Sequence, residues 1–95
     1  MRYQVITTGN ARKDIQDAID WENNRDNKLG KHFLAEIEQK LTAVSRTPRL
    51  AAVRYDNVRC LVTTKFSYLI HYTIDDNLQQ VIILRVLHTS RKPIW

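Results

Sequence analysis

The first half of the chain shows one short β-type run followed by two helical patterns. Side chains typical of strands alternate over residues 2–7, which predicts a strand over these residues that stops before Gly9. Asn10 is then a candidate N-cap for a helix over residues 11–24. The apolar positions of this helix recur at helical spacing: Ala11, Ile15, Ala18 and Ile19.

A second amphipathic pattern follows a polar loop at residues 23–27. Its apolar positions give the strongest periodic signal in the sequence: Leu29, Phe33, Ile37, Leu41 and Val44. Thr47 ends the helix because it precedes Pro48, and a residue before proline avoids the helical region. The short loop predicts that the two helices pack as an antiparallel hairpin.

Beyond Pro48 the apolar period changes from 3.6 to 2, which predicts strands over residues 58–64, 68–75 and 80–87. Residues 81–84 are apolar on both faces, as expected of a central strand. We therefore predict an α+β fold of order β-α-α-β-β-β, with an antiparallel twisted sheet packed against the helical hairpin. Without a repeat or a linker, residues 1–95 are expected to form one domain.

Composition narrows the class of protein. The 95 residues are 43% hydrophobic and 26% charged, which is typical of a globular domain with one small core. The longest apolar run is far shorter than the roughly 20 residues of a membrane span, so we expect a cytoplasmic protein with no membrane partner. Cys60 is the only cysteine and lacks metal-ligand spacing, so a buried, inert thiol is expected, with no bound metal and no cofactor.

Positive charge is concentrated in the second half of the chain. The net charge is +5, and residues 49–95 hold seven Lys and Arg against three Asp and Glu. Such asymmetry favours an anionic partner, either a nucleic acid or an acidic protein surface.

Basic residues of the predicted sheet are the candidate functional groups. Arg59 and Arg85 lie in strands, Lys65 precedes aromatic residues in a turn, and Arg91 follows the last strand. His88 stands three residues from both Arg85 and Arg91, and a titratable base beside phosphate-binding cations is what RNA cleavage by a 2′-hydroxyl requires. The structural alternative is that each arginine stem packs along the sheet while its guanidinium reaches solvent or a carboxylate.

Several enzyme classes are disfavoured by what the sequence lacks. It has no GxSxG or HExxH motif, and two glycines in total do not make a Gly-rich phosphate loop. Neither His71 nor His88 has a spaced partner suggesting a metal, and a lone histidine is more often structural than catalytic.

At the level of whole segments, the chain resembles the RelE/ParE superfamily of bacterial toxins. The resemblance is carried by residues 68–75 and 81–91, and in the N-terminal half by a shorter set: residues 11–15, Trp21, residues 29–30, residues 33–34 and Pro48. It implies the toxin of a type II toxin-antitoxin module of the plasmid-stabilisation kind, which inhibits growth unless a cognate antitoxin neutralises it. It also implies that the toxin contacts operator DNA only through the antitoxin complex, in which larger oligomers form.

The resemblance leaves the target open between two branches. RelE-like members cleave messenger RNA on the ribosome. The arginine that they carry after the tyrosine of the third strand corresponds to Leu69 in this chain. Their paired lysines of the preceding strand correspond to Cys60 and Val62. ParE-like members inhibit DNA gyrase by binding and need no catalytic constellation. These departures favour the ParE-like branch, while Arg85, His88 and Arg91 would be the catalytic candidates of a nuclease.

Two further expectations follow. The target- or antitoxin-binding surface is expected to include a basic and aromatic set: Arg59, Lys65, Arg85, His88, Arg91 and Trp95. A third alternative is a module that binds antitoxin but has lost toxicity.

Overall fold

The computed structural model describes residues 2–90. Within them, five strands and two helices are joined by short connections, with a 3-10 turn at Pro48–Leu50. The elements are β1 Gln4–Thr7, α1 Gly9–Arg25, α2 Leu29–Arg46, β2 Val53–Tyr55, β3 Val58–Val62, β4 Tyr68–Asp75 and β5 Gln80–His88. The α+β class and the helical hairpin are confirmed, and residues 53–55 add a strand that is too short for its alternation to be recognised.

The start of α1 differs from the sequence prediction by two residues. Thr8, rather than Asn10, is the N-cap, and its hydroxyl accepts a hydrogen bond from the Ala11 amide at 3.1 Å. The same hydroxyl donates to the Leu84 carbonyl at 3.1 Å. Because that second bond reaches a strand 76 residues away, local sequence could not favour Thr8 over Asn10.

One hydrophobic core lies between the helices and one face of the sheet. The apolar stripe of α2 enters it through Phe33, Ile37 and Val44, all essentially buried. α1 contributes Ala11 and Ala18, whose small side chains let the helix approach the sheet closely. The strands supply the remaining large side chains of the core: Tyr68, Ile70, Tyr72, Val81, Ile83 and Val86.

The sheet has the order β1-β5-β4-β3-β2. Strands β2 to β5 pair antiparallel, but β1 pairs parallel with β5, so the sheet is mixed rather than wholly antiparallel as predicted. Alternation marks strand residues but leaves the neighbour and direction of a strand open, which is why pattern alone missed the parallel pair. The prediction that residues 81–84 lie in a central strand is confirmed, because β5 lies between β1 and β4.

Within residues 2–90, neither helix is long and apolar enough to cross a membrane.

Candidate functional site

A β-bulge in β5 sets the positions of the residues that follow it. Tyr72 pairs with Ile83, but its neighbour His71 pairs with Arg85, so Leu84 is an extra residue in β5. The pairing of β1 with β5 ends at Thr7, level with Ile83. Beyond that point the edge of β5 is therefore bordered by the beginning of α1 rather than by a strand.

Asp14, on the first turns of α1, replaces a strand neighbour along this edge. Its carboxylate accepts a hydrogen bond from the Val86 amide at 3.0 Å. It also accepts two bonds from the Arg85 guanidinium, from Nε at 2.7 Å and from Nη2 at 3.0 Å. The hydrogen bonds to Asp14 raise the pKa of Arg85. Arg85 is thus held in a bidentate ion pair, with 32% of its side chain exposed against 11% for Asp14.

Arg59 is also occupied by a contact within the fold. Its Nη1 donates to the Ala51 carbonyl at 2.7 Å, which ties β3 to the segment that follows the 3-10 turn. Its cross-strand partner in β4 is Tyr72, whose hydroxyl donates to the Pro48 carbonyl at 2.8 Å and accepts from the Ala51 amide at 3.2 Å. Arg59 therefore helps to close this end of the core.

The face of the sheet away from the helices carries an apolar cross-strand row beside a polar one. One row joins Val62, Leu69 and Leu87. These three alternate with core residues of the same strands, so they point to the opposite face. Val62 is 51% exposed and the other two are half-buried. Two of the three positions at which the resemblance leads one to seek nuclease cations, 62 and 69, thus belong to an apolar row.

The adjacent row on this face brings together Cys60, His71 and Arg85. His71 is almost fully buried, and its Nδ1 lies 3.1 Å from the Tyr55 hydroxyl and 3.5 Å from the Cys60 sulfur. Burial, and secondarily the charge of Arg85, lowers the pKa of His71, while burial raises the pKa of Cys60. The pair is therefore a neutral imidazole beside a protonated thiol, which is not an activated nucleophile.

The sequence predicted the burial of Cys60, and the structure confirms it. It did not indicate the cluster around His71, because Tyr55 lies in the strand that alternation missed. Only the pairing of β3 with β4 brings the thiol and the imidazole together.

His88 lies at the end of β5 beside an open cleft. The cleft has a volume of about 250 Å³ and is lined by Trp21, Tyr68, His88 and Ser90. The ring of His88 meets that of Tyr68 edge to face at a centroid distance of 5.0 Å. Its Nδ1 accepts a hydrogen bond from the Ser90 amide at 3.1 Å, so in the neutral ring the proton resides on Nε2.

Lys65 is exposed on the turn between β3 and β4, and a carboxylate on α2 holds this turn. The carboxylate of Glu36 accepts hydrogen bonds from the amides of Thr64, at 2.7 Å, and Lys65, at 3.2 Å, and also from the Thr64 hydroxyl. Phe66 of the same turn packs edge to face against Phe33 in the core. Tyr68 belongs to the core and Phe66 packs against it, while Lys65 extends from an ordered turn.

The candidate residues that lie within residues 2–90 do not form one constellation. From Arg85 to His88 the side chains alternate, so the two leave β5 on opposite faces. Arg59 and Lys65 lie at separate points along the sheet. Arg91 and Trp95 lie outside the described residues.

The sequence matches one family model over most of its length. The model describes the ParE toxin of the type II toxin-antitoxin system parDE, and it matches residues 5–93. No curated protein matches the chain.

Solved structures of toxin-antitoxin components share this fold. The RelBE2 complex of Mycobacterium tuberculosis contains a chain with 26% identity and a TM-score of 0.67, aligned over 93% of this chain and 99% of that one. A chain of a chromosomal ParDE system of P. aeruginosa has 13% identity and a TM-score of 0.81, aligned over 94% of this chain and 98% of that one. A chain of the RelBE complex of E. coli has 20% identity and a TM-score of 0.72, aligned over 94% of this chain and 99% of that one. The last two identities are low enough that they show the fold alone.

Proposed function

The chain belongs to the ParE toxin family of type II toxin-antitoxin systems, and from that premise we propose that it is a cytoplasmic toxin that inhibits DNA gyrase by binding it. A cognate antitoxin neutralises it by covering the toxin surface. The similarity to chains from three toxin-antitoxin systems supports the antitoxin partner.

The observation that carries the binding mechanism is the character of the sheet face away from the helices. Cleavage of RNA requires cations and a proton-transfer group around one phosphate. On this face Val62, Leu69 and Leu87 form an apolar row, and Arg85 is held by Asp14. An apolar surface with few free charges is suited to a protein partner rather than to a scissile phosphate.

The test is to express the chain without its antitoxin and to follow DNA synthesis and protein synthesis by pulse labelling within minutes of induction. A gyrase inhibitor stops DNA synthesis first, and the purified protein then blocks supercoiling of relaxed plasmid by gyrase. Early arrest of translation with replication intact would refute this proposal. Arrest of neither process would indicate a module that binds antitoxin without toxicity.

A ribosome-dependent ribonuclease is the second candidate, and the geometry of His88 is what favours it. The Ser90 amide donates to Nδ1, so Nε2 is the ring nitrogen left to exchange a proton with a ligand in the cleft. In that case His88→Gln abolishes toxicity in a protein that stays folded, and its unfolding temperature falls by no more than loss of the ring contact with Tyr68 explains. Arg85→Ala is a poor test of catalysis, because it also removes the ion pair to Asp14.

A further inference from the structure

A second cleft lies between α2 and the turn that joins β3 to β4. Its volume is about 300 Å³. The lining residues are His32, Ala35, Glu36, Gln39, Thr64 and Lys65. The four contributed by α2 recur at three or four residues, so they lie along one side of that helix.

The one carboxylate in this cleft is already engaged. Glu36 is 7% exposed and accepts bonds from two amides and a hydroxyl of the turn. Although burial opposes ionisation, the hydrogen bonds from Thr64 and Lys65 hold the pKa of Glu36 below its usual value. The turn therefore takes up the hydrogen-bonding capacity of this carboxylate, which keeps its negative charge.

Basic residues lie on both sides of Glu36 along α2 and across the cleft from it. His32 and Lys40 lie one helical turn before and after Glu36, and Lys28 lies one turn further towards the N-terminus. Lys65 projects from the turn on the opposite wall of the cleft. Within residues 2–90 none of these lysines lies within ion-pair distance of a carboxylate, although the charge of Lys40 acts on Glu36 from further away.

We propose that this cleft binds a carboxylate side chain from an acidic segment of the antitoxin. The donors offered are the ammonium of Lys65, the side-chain NH2 of Gln39 and a ring N–H of His32. A protein carboxylate is favoured over nucleic acid because no Phe, Tyr or Trp lines this cleft to stack on a base. The inference rests on the proposed antitoxin partner and adds where, and through which charge, that partner is held.

Charge reversal at Lys65 tests this directly. The affinity of the full chain for the antitoxin encoded by the adjacent gene is measured by titration calorimetry at low and moderate salt. Lys65→Glu is expected to weaken binding about tenfold at low salt, Lys65→Gln about threefold, and the difference from wild type should shrink as salt rises. Lys13→Glu is the matched control, because Lys13 is an exposed lysine on α1 and should change affinity less than about twofold.

Lys65 is exposed, so neither substitution should alter the circular dichroism spectrum or the unfolding temperature. Equal effects of Lys65→Glu and Lys13→Glu, with antitoxin still bound, would overturn this inference and leave the proposed function intact. Failure of the wild-type chain to bind antitoxin would overturn both. Loss of binding to a short single-stranded RNA, with antitoxin affinity unchanged, would assign the cleft to nucleic acid instead.

Discussion

Removal of the Asp14 carboxylate is the sharpest test of how the last strand is held. Asp14→Ala deletes the acceptor for the Val86 amide and both acceptors for the Arg85 guanidinium. Val86 is 1% exposed, so water does not readily replace the lost bond to its backbone. A buried amide without its acceptor costs about 1–3 kcal/mol.

The guanidinium contributes less, because about a third of the Arg85 side chain is exposed and is rehydrated after the substitution. We assign about 1 kcal/mol to the lost ion pair. Together the two effects lower the free energy of unfolding by about 2–4 kcal/mol. For a domain of this size each kcal/mol shifts the melting temperature by about 4–8 °C, so a fall of about 8–32 °C is expected.

Urea unfolding followed by circular dichroism measures this difference, with Asp17→Ala as the control. Asp17 is exposed on the same helix, and its replacement should change stability by less than about 0.5 kcal/mol. Asp14→Asn keeps one side-chain oxygen to accept from the Val86 amide and should lose about half as much. The double variant Asp14→Ala/Arg85→Ala should be more stable than the sum of the single changes predicts, since both remove one interaction.

If Asp14→Ala cost no more than Asp17→Ala, the bidentate pair would contribute nothing to stability. Arg85 would then be available for a partner or a phosphate, and the view of this arginine as part of the fold would be wrong.

Two further predictions concern the N-cap of α1 and the hydrogen bonds of Glu36 to the turn between β3 and β4. Thr8→Ala should lose about 1–2 kcal/mol because it removes the N-cap of α1, whereas Asn10→Ala should be nearly neutral; chemical unfolding of both variants checks this. Glu36 has a pKa below its ordinary 4.5, so its contribution to stability is present above pH 4.5 and is lost as the pH falls through the lower, folded-state pKa. Urea midpoints at about pH 6 and pH 3.5 should therefore fall more steeply for the wild type than for Glu36→Gln, and equal slopes would contradict the assignment.

The helices and the long strands could be predicted because their signals are local. Phe33, Ile37 and Val44 are spaced for one helical face, and all three are buried in the core. The alternation over Tyr68–Asp75 matches β4 from its first residue to its last. In these segments intrinsic pattern and tertiary packing agree, as expected of a minimally frustrated sequence.

What the sequence could not supply depends on contacts between distant residues. Asp14 near the start of a helix is explained by the helix dipole alone, until β5 places Arg85 and Val86 against it. The bulge at Leu84 has no signal in an apolar run, and it lies level with the point at which β1 ends and α1 begins. Trp21 falls within an amphipathic helix and yet is 57% exposed, beside His88 rather than in the core.

The different chemistry of arginine and lysine explains why the strand arginines are bonded within the fold while Lys65 stays exposed. A guanidinium offers several donors in a plane, so Arg85 and Arg59 satisfy a carboxylate and a carbonyl within the sheet. An ammonium on a flexible stem is strongly hydrated and tends to remain at the surface, as Lys65 does on its turn. A search for partner-binding charge in this fold should therefore begin with the lysines around α2, and regard the strand arginines as structural until Asp14→Ala shows otherwise.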